Sequence, residues 1–227
     1  MPKAGSTSRK KSWSLLKLTV GCLLLVPSMA GTAALFRRLL FFQFTDPIQL
    51  ALLTGAGVYA VMHLVLWKPI FMHVMGHELT HAFWSFVFGG RTKSLQVSPV
   101  GGQVTLSKTN FFVALAPYFF PFYTTLLVPV FLMAAPKYQP LVSLLIGFTL
   151  AFHLALTLHS LREHQNDLVE TGVLFSVCFI YFMNLLVMAG LLMMLAPALI
   201  QPWPFLQESG AILATLGAWI VSWWSKP

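Results

Sequence analysis

Ile70-Phe71-Met72-His73-Val74-Met75-Gly76-His77-Glu78-Leu79-Thr80-His81-Ala82-Phe83-Trp84-Ser85-Phe86-Val87 sets an HExxH pattern inside an apolar run. On an α-helix His77 and His81 fall four residues apart, about 6 Å along the axis and on nearly the same face. Both imidazoles can then reach one tetrahedral zinc ion, with Glu78 beside it as a general base. Ionisable groups at membrane depth are costly, so such a cluster in an apolar helix points to chemistry. A hydrogen-bonded polar cluster that tunes helix packing is the plainer reading of the same residues. The scarcity of acids weighs against it, since the chain holds only Asp46, Glu78, Glu163, Asp167, Glu170 and Glu208.

His73 continues the same face at a further step of four. Three histidines so spaced cannot share one tetrahedral ion, because the outer two stand about 12 Å apart along the axis. The pair enclosing the glutamate is the better ligand set, which leaves His73 a supporting or structural role. His63, His153 and His159 lie on other apolar stretches and read as hydrogen-bonded packing groups.

Working outward, the whole chain is apolar. Of its 227 residues 57% are hydrophobic and 9% charged, against about 45–50% apolar and about 25% charged in a soluble domain. The class is an all-α polytopic membrane protein. Segments near 14–36, 47–67, 69–89, 110–135, 139–160, 172–196 and 207–225 approach the length of a helical span, which needs about 20 apolar residues. Six to seven spans are therefore expected, the last of them lying in the interface if it does not cross. Residues 1–12 read as a disordered basic tail, and 13–227 as one integral-membrane domain. Lys10 and Lys11, the apolar run from Leu15 to Val26 and Pro27-Ser28-Met29-Ala30-Gly31 imitate a signal peptide. The apolar character continues to Arg37-Arg38, which favours an uncleaved anchor.

The formal net charge of +8 raises nucleic acid as a partner. The basic residues, however, cluster near the N-terminus and then fall singly or in pairs between apolar runs, without a basic face interleaved with aromatics. They read as anchors at a lipid bilayer surface, and no nucleic-acid partner is expected. Counted on alternating sides, they nearly balance and set no orientation. Cys22 and Cys178 have neither CxxC spacing nor a disulfide framework and read as small buried hydrophobes.

Residues 91–108 differ in kind. Leu95-Gln96-Val97-Ser98 alternates, Pro99-Val100-Gly101-Gly102 supplies turn chemistry, and Gln103-Val104-Thr105-Leu106 alternates again. That predicts a β-hairpin directly after the HExxH helix. It is either an ordinary surface connection or an edge that holds an extended substrate segment through Gln96, Val97 and Val104. The second reading suits peptide hydrolysis, because a helix hides its carbonyls and must unwind before water attacks. Pro117 and Pro121 interrupt the following apolar run and predict a bend.

Catalytic zinc takes three protein ligands and keeps one position open. The polar stretch from His159 to Glu170 offers Glu163, His164, Asp167 and Glu170 as the third, and spacing alone leaves all four open.

The HExxH motif, Gly89-Gly90, the hairpin and the Asn166-Asp167 pair together resemble the site-2 protease family of intramembrane zinc metalloproteases. The likeness is to its small, compact prokaryotic-type members and covers residues 69–175. The resemblance implies Zn2+ as cofactor, Asp167 as third ligand after His77 and His81, and Glu78 as catalytic base. It also implies a transmembrane protein substrate and a prokaryotic cytoplasmic membrane. The chain departs from the family pattern at Leu168, where glycine is usual, and Ala116-Pro117-Tyr118-Phe119-Phe120-Pro121 is a loose counterpart of the family's Asn-Pro stretch. A metal-binding membrane protein without proteolytic activity and a metal or proton transporter are the rival functions.

Overall fold

Apolar residues in long unbroken runs have to satisfy their backbone polar groups internally, and the helix is the local solution. The computed structural model describes residues 5–66, 68–98, 100–162 and 166–225, without side chains at 5–14, 162 and 166. Nine α-helices and one hairpin occur among the described residues: α1 (Gly5–Leu39), α2 (Pro47–Val65), α3 (Ile70–Val87), β1 (Thr92–Ser98), β2 (Gly101–Leu106), α4 (Phe111–Leu115), α5 (Phe122–Met133), α6 (Gln139–Arg162), α7 (Asn166–Thr171), α8 (Val173–Leu195) and α9 (Pro202–Trp224).

Five of these helices are long and apolar enough to cross a membrane, namely α1 from Leu15, α2, α6 with the short turn before it, α8 and α9. A sixth span results if Phe111–Tyr118 and Phe122–Met133 count as one, bent by 75° at the break. The polytopic helical class and the hairpin are thus present, with fewer simple spans than seven. The difference lies in α3, where His73, Gly76, His77, Glu78, Thr80 and His81 dilute the apolar character below that of its neighbours. The bend falls at Phe119–Pro121, where Pro121 caps α5 instead of continuing the preceding turn. The expected disordered tail also differs. Residues 1–4 lie outside the described residues, but residues 5–12 already belong to α1. Extending an established helix costs far less than nucleating one, so these polar residues can follow the apolar run behind them.

The chain packs as two compact units, residues 43–169 and residues 1–42 with 170–227. In the second, α1 packs on α8 and α9. Arg38 Nε donates to Glu208 Oε2 at 2.8 Å, Thr32 and Tyr181 share a hydroxyl bond of 2.6 Å, and Lys17 Nζ donates to the Thr171 carbonyl at 2.7 Å. The last is a cation at the end of α7, where helix carbonyls lack partners.

The first unit holds the motif. Asp46 starts α2 by accepting from the Ile48 and Gln49 amides, with Pro47 at the first helical position, where its missing N–H costs nothing. α2 packs along α6 around Tyr59, Phe152 and Leu156, all nearly inaccessible. Tyr59 meets Phe148 and Phe152 edge-to-face with centroids 5.2 and 5.7 Å apart. Gly55 and Gly147 let the two backbones touch: a Cβ at either would strike a main-chain carbonyl of the other helix, that of Leu144 or Leu52. α3 is flanked instead by the hairpin and by α4 with the turn that follows it.

Candidate metal centre

The end of α3 fixes the hairpin. Gly89, at φ +74°, takes the left-handed conformation open to glycine. Its amide donates to Phe86 O, and the Gly90 amide donates to Ser85 O at 2.7 Å. That is the Schellman arrangement, which satisfies two carbonyls the helix leaves unpaired. Ser85 Oγ donates to the Lys108 carbonyl at 2.8 Å, and Arg91 and Ser107 exchange bonds of 2.7 and 2.9 Å. Both legs of the hairpin are thereby tied to the last turn of α3.

The strands pair antiparallel with Ser98 opposite Gly101, so the hairpin closes within the stretch the sequence marked; Pro99 lies outside the described residues. Gln96 stands opposite Gln103, Val97 opposite Gly102, and Leu95 opposite Val104. Gln96 is exposed, while Val97 and Val104 are half-buried. β2 lies directly over the motif: a Cβ at Gly102 would stand 2.7 Å from Glu78 Cγ, 2.9 Å from its Oε1 and 2.6 Å from Val74 Cγ1. Glycine is the residue that lets the strand come this close. The Val104 amide also faces the Glu78 carboxylate.

One turn apart on α3, His77 Nε2 and His81 Nε2 lie 3.2 Å from each other. Asp167 Oδ2, from α7, lies 3.7 Å from the first and 3.5 Å from the second. Two ligand atoms on a tetrahedral zinc, each about 2.0–2.1 Å away, stand about 3.3–3.4 Å apart. The three distances lie within a few tenths of an ångström of that spacing, so these atoms could hold a metal ion. The tautomer also fits: His81 Nδ1 donates to the Val113 carbonyl at 2.8 Å, which leaves the Nε2 lone pair for a metal. Burial would raise the Asp167 carboxyl, but hydrogen bonds and charge from the two facing imidazoles hold it well below the usual carboxylate range. It is a carboxylate at neutral pH.

Among the described residues this is the group of three whose donor atoms converge. Of the two candidates for third ligand among the described residues, Asp167 is the one brought to the imidazoles. Glu170 is exposed and outside the group, and Glu163 and His164 lie outside the described residues. His73 Nε2 bonds Ser160 Oγ at 2.9 Å, and its ring stands 6.1 Å from that of His77. His63 Nδ1 bonds the Tyr59 hydroxyl at 3.0 Å.

Two residues at the site had no functional reading in the sequence. Gly102 was read only as part of a turn. Tyr118 stood in a proline-flanked aromatic run and turns out to contact both His77 and Asp167. A tyrosine preceding Phe119-Phe120 was the available signal for the second, because a buried hydroxyl has to find a partner.

Comparison with protein-family models, with curated proteins and with solved structures finds no match.

Proposed function

We propose that this protein is an intramembrane zinc metalloprotease of the site-2 protease type, cleaving peptide bonds in or near transmembrane segments of membrane proteins. The observation that carries the reading is the triangle of His77, His81 and Asp167 at zinc spacing, with Glu78 beside it and β2 above. Bound there, zinc would bring a coordinated water's pKa toward neutrality and polarise a scissile carbonyl. Glu78 takes the proton from the attacking water and delivers it to the leaving amine. His81 is kept in the ligating tautomer by Val113. The hairpin holds the substrate extended, its main chain supplying hydrogen bonds while Gln96, Val97 and Val104 meet its side chains. Placing this chemistry beside helices suited to a bilayer gives access to substrates that soluble proteases do not reach.

The test uses the full chain, purified, loaded with zinc and reconstituted in liposomes with transmembrane reporter peptides. Wild-type protein should cleave, and Glu78→Gln should lose at least about 100-fold in rate with zinc content unchanged. Full activity in that variant refutes the general-base role. Zinc bound without cleavage by wild type would favour a non-catalytic metal protein, and zinc flux across the liposome a transporter.

A further inference from the structure

Three ligands drawn from two helices have to be held in register, and α3 fixes only two of them. Asp167 belongs to α7, a helix of six residues, too short to be rigid by itself. Carboxylate ligands in metal sites are commonly aimed by a hydrogen bond from a second residue, because a carboxylate that rotates freely loses affinity to entropy and misdirection.

Tyr118 stands in this position. It belongs to the single turn of 3₁₀-helix Ala116–Tyr118 between α4 and the bend, is flanked by Pro117, and is 1% exposed. Its hydroxyl donates to Asp167 Oδ2 at 3.3 Å. This is the same oxygen that faces both imidazole Nε2 atoms. A carboxylate oxygen offers two lone pairs, so accepting from the phenol still leaves this oxygen able to bind a metal. The same ring meets the His77 ring edge-on, with centroids 5.3 Å apart and planes at 88°, which limits rotation of that imidazole. One side chain thus braces a ligand on each helix. The bend beside it supplies the means: after the turn the chain breaks off into α5 at 75°.

We infer that Tyr118 is a positioning residue, aiming the Asp167 carboxylate and steadying the His77 imidazole so that the two helices form one metal site. The inference rests on the metal-site reading above and adds a residue to it.

The experiment measures zinc affinity of the purified full chain by chelator competition, and the visible spectrum of the cobalt-substituted protein. Tyr118→Phe keeps the ring against His77 and removes only the hydroxyl. Its affinity should fall about 10–100-fold, with a changed cobalt absorption band and an unchanged melting temperature of the metal-free protein. Acting through Asp167, the substitution should have no further effect in an Asp167→Ala background, whereas a merely structural role would weaken both backgrounds alike. Wild-type affinity and spectrum in Tyr118→Phe overturn the inference alone, as does an equal loss in the two backgrounds. A wild-type protein that takes up no zinc or cobalt overturns the metal-site reading together with it.

Discussion

The α2–α6 pair and the surroundings of α3 use glycine for opposite ends. Between α2 and α6, Gly55 and Gly147 remove side chains so that two backbones can touch. In a bilayer, where lipid tails compete for apolar surface, such close approach is a main source of helix association. Over α3, Gly102 removes a side chain so that a strand can come down on a carboxylate. The first contact brings main chain against main chain, and the second brings main chain against a carboxylate. The contrast separates a scaffold from a site: one should be sensitive in stability and silent in chemistry, the other the reverse.

The largest effect should come from the imidazoles. His77→Ala or His81→Ala should abolish stoichiometric zinc, measured by elemental analysis of the purified protein, and cleavage with it. Retention of one zinc per chain in either variant would move the metal elsewhere. Next in size is Gly102→Ala, whose methyl would press on Glu78 and Val74. A base displaced by about 1 Å costs on the order of 100-fold in rate, so cleavage should fall steeply while zinc content holds. An unchanged rate would mean that the strand moves aside freely. The smallest effect on chemistry belongs to Gly147→Ala. Overpacking against the Leu52 carbonyl should cost about 1–3 kcal/mol, read as a lower melting temperature, with zinc stoichiometry and the rate at permissive temperature unchanged. Loss of zinc there would erase the distinction between the two regions.

Much of this architecture was legible along the chain because it is written in local spacing. The HExxH step places two imidazoles together on any helix, and the alternation on either side of Pro99–Gly102 closes a hairpin. Asp167 was within reach only as one of four polar candidates, since which of them meets α3 is decided by a contact some 90 positions away in sequence. Gly102 and Tyr118 were missed for the same reason: their neighbours Glu78 and Asp167 are remote in sequence. The span count differed where composition averages out the meaning of single residues, for α3 is apolar by most of its side chains and polar by the few that matter.

The polarity of α3 has a consequence for how the protein is made. A segment carrying three histidines and a glutamate gains little by leaving water on its own, and translocon recognition responds to summed apolarity. Residues 66–69 are all that separate it from α2, a helix long and apolar enough to cross a membrane. Insertion as a pair, with the second member drawn in by the first, is the outcome that short tether favours, and biogenesis of α3 would then depend on a neighbour that contributes nothing to the His77, His81 and Asp167 cluster.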